Sequence, residues 1–236
     1  MSISLKRAGA IFVKDYKEFS RNYAISIILI FPILFAFLFR SAGPSLPGAI
    51  GFLLNISFVI LTSLAQACLI AEEKERNTLR SLMMTPATTM DVLIGKSALV
   101  FVMSAVVVAI STYILGYEPA SIGAFVAAII FSIILYTAVG TICGLYSKTL
   151  LDATLSIMPV ALVFTGAPWG VLLADDFPIF KVLEYAPSVQ LVYLLNIRNI
   201  GFTTGDLLKP LLIILAWTVV LTIVSVVLYQ RRLKDE

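Results

Sequence analysis

Residues 120–147 read ASIGAFVAAIIFSIILYTAVGTICGLYS and contain no charged side chain. A helix needs about 20 predominantly apolar residues to cross the ~30 Å hydrocarbon core of a bilayer, and this run exceeds that length. A helix also satisfies its own backbone hydrogen bonds, as the bilayer core requires. The stretch therefore predicts a membrane-spanning helix.

The rest of the chain repeats this pattern. Hydrophobic residues make up 60% and charged residues 13% of the composition, and the mean hydropathy is +1.00. Soluble domains carry roughly 25% charged residues, so the composition excludes a soluble fold. Pro32 predicts a kink in the first run. We expect a single all-α membrane domain over residues 1–236, with six transmembrane helices near 23–39, 49–70, 95–116, 120–147, 154–174 and 207–229.

The distribution of lysine and arginine predicts the orientation of these spans. With a cytoplasmic N-terminus, thirteen basic residues lie on the inner side and four on the outer side, namely Arg40, Lys181, Arg198 and Lys209. This bias predicts that both termini are cytoplasmic. The first apolar run starts after about 22 residues and no small-residue cleavage site follows it, so we expect a multi-pass protein that retains its first span.

The N-terminal segment, residues 1–22, has the pattern of an amphipathic helix. At 100° per residue, one stripe contains Leu5, Ala8, Phe12, Tyr16 and Phe19. Most charged residues fall on the opposite side, and Asp15 departs from that side. A transmembrane run follows at once, so we expect a helix that lies along the membrane surface.

The segment 72–86 joins the second and third predicted spans on the inner side. Its apolar residues Leu79, Leu82 and Met83 share one helical face, and charged residues share another. Thr88, with Asp91 three residues on, predicts the N-terminal cap of the next helix. A short amphipathic helix of this kind can dock into the groove of a partner. The residues alone leave a docking helix and a plain connecting turn equally open.

A second informative segment lies on the outer side before the last span. The stretch Thr165–Trp169 predicts a break near the end of the fifth span, and Pro168, Pro178 and Pro187 argue against one straight helix. Two short helices that dip into the outer leaflet fit residues 175–206. We interpret Asp175 and Asp176 as a solvated loop tip, because a hard cation needs more oxygen ligands.

Asn55 and Gln66 are polar residues that are costly to place inside a membrane. They lie eleven residues apart in the second span and therefore share one face of an α-helix. We expect this face to line a pathway or a dimer interface. The middle of each span lacks a secure charged residue, which disfavours a proton- or sodium-coupled carrier. The chain has no histidine, and Cys68 and Cys143 are expected to be small buried hydrophobes.

The loop and the outer segment together resemble ABC-2 type transporter permeases. That family carries an E-K-E-x-G-T-L-E-x-L-x-x-T-P pattern after the second span and G-K at the start of the third. Asn77 and Arg80 depart from the pattern, where glycine and an acid are usual. This chain presents Glu73-Lys74-Glu75, Thr78-Leu79, Leu82, Thr85-Pro86 and Gly95-Lys96 in the same order.

The resemblance implies the transmembrane subunit of an ATP-driven exporter, which is half of a translocation pathway in a prokaryotic plasma membrane. Residues 1–22 would form an elbow helix, 72–86 a coupling helix and 175–206 an outer re-entrant segment. The implied outer-gate residues are Gly166, Pro168, Pro178, Pro187 and Arg198. The residues implied to couple to the ATPase are Glu72, Glu73, Glu75, Arg76, Thr78, Leu79, Leu82 and Met83.

The implied partners are an ABC ATP-binding subunit, a second permease copy or a similar permease, and membrane lipid, without nucleic acid. The chain has no G-x-x-x-x-G-K-[ST] motif, so ATP and Mg are expected on the partner subunit. The chain itself is expected to bind no cofactor or metal and to catalyse no reaction. The alternative is an ATP-independent carrier or channel. An intramembrane enzyme and a haem-maturation permease fit less well without histidine.

Overall fold

The computed structural model describes residues 4–21, 27–41, 48–75, 88–197 and 203–235, and the regular structure in these ranges is helical throughout. The eight α-helices there are α1 (Leu5–Arg21), α2 (Ile30–Ser41), α3 (Ala49–Glu75), α4 (Thr89–Leu115), α5 (Ile122–Tyr146), α6 (Leu150–Gly170), α7 (Pro187–Asn196) and α8 (Thr204–Asp235). Three 3-10 segments accompany them, at Ile27–Leu29, Val171–Leu173 and Pro178–Tyr185. The predicted all-α class is confirmed.

Five helices are long and apolar enough to cross a membrane: α3, α4, α5, α6 with its 3-10 extension, and α8. They correspond to five of the six predicted spans. The remaining run is described from Ile27 to Ser41, which at 1.5 Å per residue is roughly 22 Å and shorter than the bilayer core. Its crossing therefore stays a prediction. Pro32 lies in the first turn of α2, where a missing N–H costs no helical bond.

Helix α3 forms the centre of the bundle. In the most apolar 18-residue stretch of α3, 83% of the residues are buried, whereas in the corresponding stretches of α6 and α8 only 17% are buried. Glycines let α5 pack closely against it, since a Cβ at Gly140 would collide with the Ser63 carbonyl oxygen and one at Gly144 would lie 2.8 Å from the Ala67 oxygen. Small residues four apart allow such close backbone approach in membrane helices.

The helix ends gather at two poles, which we call the α1 end and the α7 end. At the α1 end the Ser4 N–H donates to Asp91 at 2.8 Å, and Gln230 Nε2 lies 3.6 Å from Met90 Sδ. At the α7 end Arg40 Nη1 donates to the Ile114 oxygen at 2.8 Å. The first described helix and the last residues of α8 thus lie at the same end, as an even number of crossings requires.

The outer segment corrects one prediction. Residues Thr165–Trp169 do not break the fifth span, because α6 continues through Pro168 to Gly170. The φ angle of proline is already helical, and membrane helices tolerate the loss of a single backbone bond. Pro178 and Pro187 instead each start a new helix. The depth of these helices in a bilayer stays a prediction.

Candidate coupling site

The start of α4 is held by its own side chains and by α1. Asp91 N–H donates to Thr88 Oγ1 at 3.1 Å and Thr88 N–H donates to Asp91 Oδ2 at 2.9 Å, which confirms the predicted cap. Arg7 Nε also donates to Asp91 Oδ2, at 2.7 Å. One carboxylate therefore caps α4 and fixes the first turn of α1 against it.

One helical turn further, Gly95 and Lys96 explain why α1 approaches α4 so closely. A Cβ at Gly95 would lie 2.7 Å from the Ala8 carbonyl oxygen, so only glycine leaves room for the α1 backbone. Lys96 is 1% exposed and its Nζ lies 3.1 Å from Asp15 Oδ2 and 3.0 Å from Glu73 Oε1. A buried ammonium is stable only when it is paired and hydrogen-bonded, and both conditions are met here.

Asp15 lies on the face of α1 that packs inward. The buried residues of this helix are Ala8, Ile11, Asp15 and Phe19, whereas Leu5 is 82% exposed. Only part of the predicted apolar stripe therefore lies on the face of α1 that packs against the bundle. Asp15 departs from the polar side of α1 because its carboxylate forms an ion pair with Lys96 in the interior.

Lys14 extends this network toward the surface. Its Nζ lies 3.1 Å from Glu73 Oε1, 3.6 Å from Asp15 Oδ1 and 3.7 Å from Glu18 Oε2. Partial burial works to lower the pKa of Lys14, but the carboxylates of Glu73, Asp15 and Glu18 together raise it. We call Lys14, Asp15, Glu73 and Lys96 the ion cluster; it contains two positive and two negative side chains.

The triplet Glu73-Lys74-Glu75 spreads from the end of α3 to several neighbours. Glu73 enters the ion cluster with α1 and α4. Lys74 Nζ donates to the Leu145 and Ser147 carbonyl oxygens at 2.5 and 3.1 Å, at the end of α5. Glu75 Oε2 accepts from the Leu150 N–H at 2.9 Å, at the start of α6. A cation on terminal carbonyls and an anion on a helix N-terminus both suit the helix dipole.

The predicted coupling residues divide into two groups. Glu72 and Glu73 are buried at 9% and 3% exposure, and Glu75 is exposed. Glu73 has ion pairs with Lys14 and Lys96 within the chain, and its coupling to a partner stays a prediction. The residues Arg76, Thr78, Leu79, Leu82 and Met83 lie outside the described residues.

The described outer-gate residues lie in three successive helical elements, and their role as a gate stays a prediction. Gly166 lies within α6 with open space where a Cβ would stand, and Pro168 follows in the same helix. Pro178 and Pro187 begin two separate helices, and Arg198 lies outside the described residues. Close packing in this region occurs at Gly170, where a Cβ would lie 2.6 Å from Leu183 Cδ1.

Asn55 and Gln66 are both buried inside this chain, at 1% and 0% exposure. Asn55 Nδ2 donates to the Ser188 oxygen of α7 at 3.2 Å, and Gln66 Nε2 donates to Thr141 Oγ1 of α5 at 3.1 Å. They contact different neighbours, and a π-helical segment, Phe58–Ser63, lies between them and shifts the phase of α3. A role of Asn55 and Gln66 in a pathway or a dimer interface would require these contacts with α7 and α5 to break.

Sequence reasoning missed the most connected part of the site. The predicted third span begins at residue 95, which places Lys96 at the end of that span, but its ammonium is among the most buried charges described. Two visible signals pointed to it: Asp15 on the wrong side of α1, and the Gly95-Lys96 pair at the start of α4. The spacing of Gly140 and Gly144 also signalled the α3–α5 contact.

These features, a bundle of long apolar helices whose ends are joined by buried ion pairs, define a multi-pass membrane protein. The family model for the ABC-2 type transporter matches residues 7–167, which is more than half of the chain and includes the ion cluster. The chain therefore belongs to the ABC-2 type transporter family and is a transmembrane transport permease. No curated protein matches the chain.

Proposed function

We propose that this chain is the transmembrane subunit of an ATP-driven exporter. It forms half of a translocation pathway, and a second copy or a similar permease completes the pathway. A separate ATP-binding subunit, which holds ATP and Mg, docks on the inner side at residues 72–86. Family membership supports the transport role. The many basic residues near the α1 end support its assignment to the cytoplasmic side.

The observation that carries the coupling role is the anchoring of both borders of residues 76–87. On one border, Glu75 is bonded to the start of α6. On the other, Thr88 and Asp91 are bonded to each other and to α1. A force applied between these borders therefore enters α3 and α4 together, and side-chain bonds pass it to α1, α5 and α6.

The strength of these bonds decides how well such a force is transmitted. Hydrogen bonds to charged groups contribute about 1.5–3 kcal/mol each, and breaking one member of a buried ion pair costs about 3–5 kcal/mol. The helix ends should thus move together rather than separately. We assign Glu73 to this internal coupling, and Leu79, Leu82 and Met83 to contact with the ATP-binding subunit.

The test is co-purification of the tagged chain from mild detergent, with the bound proteins identified and ATPase activity assayed. The variant carries Leu79→Ser, Leu82→Ser and Met83→Ser. The matched control carries Leu172→Ser and Ile179→Ser, which change exposed apolar residues at the α7 end. We expect a P-loop ATPase to co-purify with the wild type and the control and to be lost from the variant. Equal recovery from all three would remove the coupling assignment.

One observation favours the rival function, an ATP-independent carrier or channel. Asp15 and Lys96 are each 1% exposed, and buried ionisable residues in membrane proteins often couple transport to an ion gradient. We favour the coupling role because each charge faces an opposite one, and because the cluster lies at the ends of α3 and α4. Solute uptake by proteoliposomes that hold the chain alone, without ATP, would reverse this choice.

A further inference from the structure

A narrow cavity runs between α4, α5 and α8 in the half of the bundle toward the α1 end. Its volume is about 240 Å³. Both α4 and α8 pack on α5, and α5 forms the floor of the cavity between them. The walls include Leu93, Ser97 and Phe101 of α4 and Thr222 and Val226 of α8; the floor includes Thr137 and Ala138 of α5.

We call this cavity the slot. Its surface is apolar, although several of the residues that line it are polar. Thr137 Oγ1 donates to the Ile133 oxygen at 2.7 Å and Thr141 Oγ1 to the Thr137 oxygen at 2.9 Å. Ser225 Oγ similarly donates to the Thr222 oxygen at 2.9 Å. These three hydroxyls bond to the backbone of their own helices, and the surface that the slot presents is mainly apolar.

The shape of the slot fits a chain better than a compact molecule. Its α4 wall extends from Met90 to Phe101, which at 1.5 Å per residue is roughly 16 Å along the helix axis. Ser97, Phe101 and Val226 are half-buried, so the slot is open along its side. A hydrocarbon chain that lies parallel to the helices could enter from the bilayer without crossing a polar barrier.

Basic residues follow the stretch of α8 that borders the slot. Gln230 contacts Met90 there, and the exposed Arg231 follows it. The sequence continues with Arg232, so two basic residues are adjacent at this end of α8. Basic groups beside a groove between helices on the cytoplasmic side attract anionic lipid headgroups.

We propose that this slot binds one acyl chain of an anionic phospholipid from the leaflet at the α1 end, with the headgroup beside Arg231. The assignment of that leaflet to the cytoplasmic side rests on the proposed function, but lipid binding itself needs neither an ATPase nor transport. Failure of the lipid experiment would therefore leave the exporter assignment intact. Failure of the exporter assignment would likewise leave lipid binding intact.

The test uses the purified full chain in nanodiscs that contain phosphatidylglycerol with a photoactivatable group in its acyl chain. Crosslinked peptides are mapped by mass spectrometry. We expect crosslinks to concentrate on the slot residues of α4, α5 and α8. Crosslinks spread evenly over all lipid-exposed helices would overturn the proposal, and this mapping needs no variant.

Variants sharpen the result. Ser97→Phe fills the slot from α4 and should reduce slot labelling about fivefold, whereas Val106→Phe, on the exposed face of the same helix, should leave it unchanged. Thr222→Leu, from the opposite wall, replaces Ser97→Phe if the latter does not fold. Thr222→Val should retain or increase labelling, because an acyl chain gains nothing from the hydroxyl; a loss would mean a polar ligand and overturn the assignment.

The headgroup is tested with a matched phosphatidylcholine probe. We expect phosphatidylglycerol to label the slot more strongly, and Arg231→Gln with Arg232→Gln to reduce this preference by about fivefold or more. Equal labelling by the two probes in the wild type would overturn the anionic assignment.

Discussion

The two ends of the helix bundle are held together by different kinds of contact. At the α1 end, buried ion pairs and charged caps link four helices, α1, α3, α4 and α5, through Glu73, Lys74, Asp91 and Lys96. At the α7 end, the described polar contacts between elements are single hydrogen bonds, such as that from Tyr117 Oη to the Leu195 oxygen at 2.7 Å. A network of charges resists rearrangement more than isolated hydrogen bonds do. We therefore expect the α1 end to move as a unit and the α7 end to separate more easily.

The largest expected effect comes from removing the central cation. Lys96→Met leaves two carboxylates, Asp15 and Glu73, buried without their main partner. A change of this kind typically costs about 3–5 kcal/mol. We expect a large fall in the midpoint of thermal unfolding, measured by size-exclusion chromatography of heated samples.

The double variant Asp15→Asn with Lys96→Met provides the control for this prediction. It should recover part of the lost stability, because one buried charge is removed along with the cation. A single variant as stable as the wild type would mean that the ion cluster does not hold the α1 end together.

Two glycines offer the next comparison. Gly95→Ala places a methyl group 2.7 Å from the Ala8 carbonyl oxygen and should cost about 1–3 kcal/mol, because α1 must shift. Gly166→Ala, in α6, meets no atom within 4 Å and should be neutral or stabilising by up to ~1 kcal/mol. The two midpoints of thermal unfolding, measured side by side, should move in opposite directions or by clearly unequal amounts. Similar losses would argue against close α1–α4 packing.

A smaller effect is expected at the α7 end. Tyr117→Phe removes one hydrogen bond and should cost about 0.5–1.5 kcal/mol. Trp217→Phe removes the bond from Trp217 Nε1 to the Tyr185 oxygen, and the two losses should add within about 0.5 kcal/mol. Strong coupling between them in a double-mutant cycle would show that the α7 end is also a network.

The smallest effect concerns Lys14, whose charge is partly exposed. Its pKa is raised in the folded chain because the carboxylates of Glu73, Asp15 and Glu18 outweigh burial. A raised pKa means that its contribution is complete below the ordinary value of 10.5 and is lost as pH rises through the folded value. Lys14→Gln should therefore lower stability by less than about 1 kcal/mol at pH 8, and the difference should shrink as the pH rises beyond the ordinary value of 10.5. A difference that grows with pH would contradict this ion pairing.

The features that the sequence predicted well are local ones. The cap formed by Thr88 and Asp91 depends on two residues three positions apart, and the long apolar runs depend on composition alone. The α-helical class and five of the spans followed from these signals.

The features that the sequence did not predict depend on distant or unpatterned contacts. Asp15 was visibly out of place on α1, but its partner Lys96 lies 81 residues further on. The π-helical segment Phe58–Ser63 has no periodicity that marks it, so the relation between Asn55 and Gln66 could not be derived. Pro168 predicted a break in the helix because proline lacks an N–H, but the membrane helix continues through this residue.

The distance of 81 residues between Asp15 and Lys96 also has a consequence for how the protein is made. When α1 leaves the ribosome, the lysine that neutralises its buried carboxylate has not been synthesised. Until α4 enters the membrane, Asp15 must therefore remain in contact with water, and α1 cannot take its final position. Docking of the first helix thus reports that the third apolar segment has been inserted.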